Sequence, residues 1–181
     1  MYDTVLIPTD GSQEMAAVVD QAIELAELCG ADVHVLHVVD ERAYHSVPED
    51  ARDTVREALQ ADGDSFTKSV AERAMAAGLD VVRELRWGDP SAAIIAYAVE
   101  NDVDVIVMGT HGRTGYERFL LGSVAEKVVR IAPLPILTVA VGETEQQKKE
   151  ILSAPLSSRG ASSASDTDDG GIPGSGAEEQ S

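Results

Sequence analysis

The sequence predicts an α/β fold in which a parallel sheet is covered by helices on both faces. Short apolar runs rich in β-branched residues alternate with helical patterns, and this alternation implies right-handed crossovers between parallel strands. Two of the runs, residues 5–7 and 103–108, are almost wholly apolar, as strands buried on both faces of a sheet are. Ligands of such sheets bind beyond the carboxyl ends of the strands, so the loops after the strands are the candidate sites.

Each predicted strand is a short apolar run that ends in a turn or a loop signal. The five runs are residues 2–8, 33–39, 81–87, 103–108 and 136–140. Asp10, Gly11 and Ser12 mark a turn after the first run, and a polar connection over residues 40–48 follows the second.

Two of the predicted helices begin at recognisable caps. Ser12 is a candidate N-cap for a helix that ends at Gly30, because serine accepts from first-turn N–H groups and glycine readily adopts the left-handed C-terminal conformation. Asp89 and Pro90 mark the start of another helix, with the aspartate as N-cap and the proline at the first helical position.

The other two helices carry weaker or more ambiguous signals. A long helical pattern covers residues 49–77, and Gly63 is expected to be its weak point because glycine is a poor helix former. The last helix follows Ser123, which is predicted to form a Ser-x-x-Glu capping box with Glu126.

The chain is strongly acidic, with 32 Asp and Glu against 14 Lys and Arg and a formal net charge of -18. This balance argues against binding of nucleic acids or anionic membranes, because both are bound largely through Lys and Arg. Only four of the basic residues are Lys. An acidic, Lys-poor surface fits a halophilic, salt-rich cytoplasm, and an ordinary acidic protein is the alternative.

The compartment and the domain limits follow from cysteine usage and composition. Cys29 is the single cysteine, and neither a signal segment nor an apolar run of membrane-spanning length is evident, so we expect a cytoplasmic protein. Residues 1–141 are expected to form one nucleotide-binding domain. Residues 142–181 are Ser-, Gly- and Asp-rich and acidic, without apolar periodicity, and are expected to be a disordered tail.

A glycine-spaced loop between the fourth strand and the last helix is the strongest functional signal. Gly109, Gly112 and Gly122 are followed by Ser123 at the helix start. Glycines let backbone N–H groups approach an anion, and a helix N-terminus adds unpaired donors and partial positive charge. Neither a P-loop nor a dinucleotide fingerprint is present, and no lysine matches that of a P-loop, so fast phosphoryl transfer has no obvious electrostatic partner.

The spacing Gly-x2-Gly-x9-Gly-Ser, together with residues 6–12 and 36–40, resembles the universal stress protein family over about residues 1–141. The spacing is that of the family's ATP-binding branch. The resemblance implies a Rossmann-like, HUP-type fold with five parallel strands in the order 3-2-1-4-5. It also implies ATP as ligand, with or without Mg²⁺, and a homodimer formed through the last strand, from Ile136 to Ala140.

The resemblance also implies a role for each residue that matches the family pattern. Asp10 would meet the ribose, within a turn shaped by Pro8 and Thr9, and the alternative is that Asp10 only caps this turn with Ser12. The residues matched to adenine are Val38 and Met108, and those matched to the phosphates are Gly109, Gly112, Arg113, Gly122, Ser123 and Val124. Arg113 would balance phosphate charge, and the others would offer backbone donors.

Three functions remain open at this point. The first is an ATP-binding stress or regulatory protein that acts through its conformation or its partners. The second is a slow Mg-dependent ATP hydrolase with Asp10 and His111 in the chemistry, and the third is a dimeric interaction protein with a vestigial pocket. No catalytic residue and no metal ligand is assigned, and His34 and His37 are expected on opposite faces of their strand, where they cannot share a metal.

Overall fold

The computed structural model describes residues 1–45, 47–110 and 121–141. It contains the five-stranded parallel sheet that the sequence predicts, with the strand order β3-β2-β1-β4-β5. The strands are β1 Thr4–Pro8, β2 Asp32–Asp40, β3 Val81–Gly88, β4 Val105–Gly109 and β5 Ile136–Val139.

Helices connect successive strands and cover both faces of the sheet. The helices are α1 Met15–Cys29, α2 Glu41–His45, α3 Arg52–Ala76, α4 Pro90–Glu100 and α5 Ser123–Ile131, with a 3₁₀ turn at Glu49–Ala51 before α3. The short α2 lies within the segment expected to be only a polar connection. None of the helices in the described ranges is long and apolar enough to cross a bilayer.

The sheet separates two apolar clusters, because alternate residues of a strand point to opposite faces. Val5, Ile7 and Val33 pack with α1 and α3 on one face. Leu6 and Leu36 pack with α4 and α5 on the other face. All five side chains are fully buried, as expected for the centre of a parallel sheet.

Two of the predicted helix ends are confirmed. Gly30 ends α1 in the left-handed conformation, at φ 67°. Asp89 is the N-cap of α4, and its side chain accepts a hydrogen bond from the Ala92 N–H at 3.1 Å, with Pro90 at the first helical position.

One other local prediction is wrong, and one is given a structural context. Ser12 does not cap α1, whose N-cap is Glu14 without a side-chain bond, because the carbonyl of Ser12 rather than its hydroxyl meets the Met15 N–H at 3.2 Å. Gly63, the expected weak point of α3, lies within a continuous helix and is buried where the helix lies close to the sheet, and a Cβ there would lie 2.4 Å from Leu85 Cδ1.

The two histidines of β2 face opposite sides of the sheet, as predicted. Nδ1 of His34 lies 2.9 Å from the hydroxyl of Tyr97 in α4, whereas the ring of His37 packs edge-on against Phe66 of α3. Burial lowers the pKa of His34, and the charge of Asp32 opposes this effect.

Candidate functional site

The turn after β1 lies at the carboxyl edge of the sheet and is held by hydrogen bonds to β2 and within the turn itself. Thr9 is buried, its N–H donates to the carbonyl of Leu36 at 2.8 Å, and its hydroxyl oxygen accepts from the Gly11 N–H at 3.2 Å. Gly11 adopts φ 74°, a left-handed conformation that favours glycine. The chain therefore leaves the sheet at Pro8 and turns sharply before α1.

Asp10 lies in the middle of this turn and is half-buried. Its Oδ1 accepts a hydrogen bond from the Ser12 N–H at 3.0 Å, so the turn-capping role that the sequence left open is present. The hydroxyl of Ser12 is buried and has no hydrogen-bond partner among the described residues. Buried polar atoms are nearly always paired, and sequence reasoning had no signal for this orphaned oxygen.

The ends of β2 and β4 form an apolar wall on the α4–α5 side of the sheet. Met108 is buried there, and Val38 and Val124 are half-buried against the same cluster. Gly109, the last residue of β4, is buried and pairs with Val139. The structure thus brings together three of the predicted apolar site residues from three different elements.

The N-terminus of α5 is shaped by a contact across its preceding loop. Gly122 is the N-cap, without a side-chain cap, and its N–H donates to the carbonyl of Thr110 at 2.7 Å. The predicted capping box is therefore wrong: Ser123 is the first helical residue, because the backbone of the preceding glycine is held by Thr110. Because the Gly122 N–H is bonded to Thr110, it is not available as a donor to a phosphate.

The first turn of α5 nevertheless presents backbone donors. The Glu126 N–H bonds to the carbonyl of Gly122 at 2.8 Å, whereas the N–H groups of the three residues between them have no intrahelical carbonyl within reach. The partial positive charge of a helix start favours anions there. Gly112 and Arg113, which sequence reasoning matched to the phosphates, lie outside the described residues.

Four charged side chains at this edge form a network that the sequence did not reveal. Nη2 of Arg42 lies 2.8 Å from Asp40 Oδ2 and 3.7 Å from Asp89 Oδ2, and Nζ of Lys127 lies 3.8 Å from Asp89 Oδ2. The hydrogen bond from Arg42 holds the pKa of the Asp40 carboxyl below its ordinary value. Asp40 and Arg42 are close in the chain, but Asp89 and Lys127 are far from them and from each other, so no local pattern predicts the network.

The chemistry assembled at this edge is an apolar wall, a carboxylate in a rigid turn and a helix N-terminus. In the described residues, no group of three His, Cys, Asp or Glu side chains could hold a metal ion.

Comparison with protein families gives a match over most of the chain. The model of the universal stress protein family matches residues 1–140. Universal stress protein MJ0531 of Methanocaldococcus jannaschii is 37% identical over 140 residues, which cover 77% of this chain and 82% of that protein. Universal stress protein YxiE of Bacillus subtilis is 30% identical over 147 residues, which cover 77% of this chain and 99% of that protein.

Solved structures give the same result for the fold. Hypothetical protein MJ0577 aligns with a TM-score of 0.72 at 30% identity, over 80% of this chain and 99% of that one. A universal stress protein solved in complex with cAMP aligns with a TM-score of 0.60 at 26% identity, over 78% of this chain and 98% of that one. With a family match over 140 of 181 residues and relatives matched over most of their own length, this chain belongs to the universal stress protein family.

Proposed function

We propose that this chain binds ATP at the carboxyl edge of β1 and β4 and acts as a cytoplasmic stress or regulatory protein. Nucleotide occupancy would set its conformation or its choice of partner. The observation that carries the proposal is the position of the Asp10 turn, which follows β1 and so lies at the same sheet edge as the helix start that follows β4, the neighbouring strand. Ligands of open α/β sheets bind at this edge.

Each part of an adenine nucleotide has a matching surface in this proposal. Val38 and Met108 offer an apolar wall for adenine, and the carboxylate of Asp10 offers an acceptor for the ribose hydroxyls. The first turn of α5, from Ser123, offers backbone N–H donors for the phosphates. A universal stress protein that aligns with this chain was solved with an adenine nucleotide, cAMP, which supports the same ligand class here.

Mg²⁺ would arrive at this site bound to the phosphates of ATP. Magnesium is commonly bound through phosphates and waters with only one or two protein carboxylates, so a dedicated cage of side chains is not needed. When bound, the ion would neutralise phosphate charge, which matters in a protein of net charge -18.

The first experiment is calorimetric titration of the full chain with ATP in high-salt buffer. Asp10→Asn is the informative variant, because its amide oxygen still accepts from the Ser12 N–H while the negative charge is lost. We expect affinity to fall about tenfold, the usual order for losing a charge-assisted hydrogen bond. The matched control is Asp80→Asn, the same change at an exposed residue just before β3. Asp80 therefore lies at the amino ends of the strands, away from the proposed site, and its substitution should leave the affinity for ATP unchanged.

Two results would contradict the proposal at different levels. If the purified wild-type chain neither carries nor takes up an adenine nucleotide, ATP binding is wrong as a function. If the wild-type chain binds ATP and Asp10→Asn binds it equally well, Asp10 only caps its turn and the ribose contact is wrong.

A further inference from the structure

His37 makes a contact with the Asp10 turn that the proposed nucleotide site does not by itself explain. Its ring Nδ1 lies 2.8 Å from the carbonyl oxygen of Thr9, a residue 28 positions earlier in the chain. Since a carbonyl oxygen only accepts, Nδ1 carries the hydrogen and donates. The N–H of Thr9 donates in turn to the carbonyl of Leu36, so two consecutive residues of β2 hold both backbone polar groups of Thr9.

The ring of His37 is itself held by α3. Phe66 packs against it with ring centroids 5.4 Å apart and an interplanar angle of 67°. Gly63 lets the helix backbone come so close that an added Cβ would lie 2.7 Å from His37 Cδ2. The imidazole therefore has little room to move between the sheet and the helix.

The same helix also supports the other end of the turn. The ring of Phe66 lies over Gly11, where an added Cβ would be only 2.3 Å from the ring carbons. Asp10 thus stands between Thr9, which His37 fixes, and Gly11, which Phe66 covers. The direction of the Asp10 backbone is determined from both sides by residues outside the turn.

We propose that His37 is a positioning residue for the nucleotide site: through Thr9 it sets the orientation in which Asp10 is presented to the ribose. This inference rests on the proposed function for its consequence in binding. The contact by which His37 holds the turn is present in the nucleotide-free protein as well. His37 touches no ligand in this account and acts only through Thr9.

Three variants of the full-length chain separate positioning from general stability. His37→Leu removes the donor, and His37→Asn keeps one, because the amide nitrogen of Asn takes the place of the ring Nδ1. His34→Leu is the matched control: it removes the other histidine of β2, which lies on the opposite face and bonds to Tyr97.

The first measurement is hydrogen–deuterium exchange of residues 9–12 without nucleotide. The N–H groups of Gly11 and Ser12 are both bonded within the turn, so they report on its order. We expect their exchange to be at least about tenfold faster in His37→Leu, and near wild type in His37→Asn and His34→Leu.

The second measurement is the affinity for ATP and for dATP, which lacks the 2′-hydroxyl that Asp10 would meet. His37→Leu should weaken ATP binding about tenfold and reduce the preference for ATP over dATP, while His37→Asn stays within about threefold of wild type. Loss of general stability alone would not change the ratio of the two affinities or be rescued by Asn.

The inference is overturned if His37→Leu keeps both the slow exchange and the wild-type ATP affinity. It is also overturned if His34→Leu speeds exchange in the turn and weakens ATP binding as much as His37→Leu does. A wild-type chain that binds no nucleotide would refute the proposed function instead. In that case the exchange comparison still decides whether His37 braces the turn.

Discussion

At the scale of single residues, Gly11 and Gly30 share a left-handed backbone but differ in their surroundings. Their φ angles are 74° and 67°. Nothing lies within 4 Å of a Cβ built on Gly30, whereas one built on Gly11 would lie 2.3 Å from the ring of Phe66. The pair therefore separates the cost of backbone strain from the cost of a steric clash.

Gly11→Ala should destabilise the protein more than Gly30→Ala. Left-handed strain costs about 1–2 kcal/mol for an L residue, and this applies to both variants. The clash with Phe66 should add about 1–3 kcal/mol to the first variant only, since the ring belongs to a packed helix. Urea denaturation measures both values, and equal losses would show that Phe66 moves aside freely.

Helix caps show what a sequence can and cannot specify at this scale. Asp89 was predicted correctly because the aspartate, the following proline and the helical pattern all indicate the same boundary. The predictions for Ser12 and Ser123 were wrong: Glu14 and Gly122 are the N-caps, and backbone hydrogen bonds shift both helix starts. The bond from the Gly122 N–H to Thr110, for example, forms across a loop that local propensity does not describe.

At the scale of elements, α4 depends on one carboxylate at its start. Asp89 accepts from the Ala92 N–H and from the hydroxyl of Ser91, and its Oδ2 lies within ion-pair distance of Arg42 and Lys127. The hydrogen bond from Ser91, followed by that from Ala92, holds the pKa of this carboxyl below its ordinary value of 3.8.

Asp89→Ala should lower the free energy of unfolding at neutral pH by about 1 kcal/mol, the usual cost of losing a cap. Because the folded pKa is depressed, this contribution is complete above the unfolded value of 3.8 and is lost as pH falls through the lower folded value. Urea melts from pH 7 to pH 2.5 should show a constant difference that narrows only below about pH 4. A difference in the free energy of unfolding that vanishes already near pH 6 would contradict this prediction. So would an equal loss of stability in Asp62→Ala, the control at an exposed position in the middle of α3.

The helix α3 shows why element boundaries were easier to predict than element contacts. Its extent follows from local pattern, and the structure places it within a few residues of the expected limits. The role of Gly63 depends on how closely the helix approaches His37 and Leu85. Intrinsic propensity treats every mid-helix glycine as a defect, whereas here the absent side chain makes the close packing possible.

At the scale of the whole molecule, the alternation of strands and helices predicted the parallel sheet, but the strand order came only from the family resemblance. Either direction of each crossover along the sheet is compatible with the same alternating pattern. The candidate site was predictable where it follows strand ends, as at Asp10 and Met108. The network that joins Arg42, Asp89 and Lys127 was not, because it forms only once α2, α4 and α5 are in place.

The two outermost strands of the sheet, β3 and β5, differ in charge, and this difference affects which of them could pair with a second copy of the chain. The edge strand β3 carries the charged residues Arg83, Glu84 and Arg86, which discourage pairing with another strand. The edge strand β5 has the sequence ILTV, without a charge, and Leu137 there is 40% exposed. Ile131, at the end of the adjoining helix α5, is 62% exposed. These features favour β5 as the surface for the homodimer that the family resemblance implies.

Leu137→Glu should therefore convert a dimer into a monomer, because it places a charge on the uncharged edge and would bury it at the interface. The matched control is Val82→Glu, since Val82 is 45% exposed on the opposite edge strand, β3. Sedimentation velocity should give a dimer for the wild-type chain and for Val82→Glu, and a 19.1 kDa monomer for Leu137→Glu. A wild-type monomer would refute the dimer. Dissociation by Val82→Glu alone would place the interface at β3 instead.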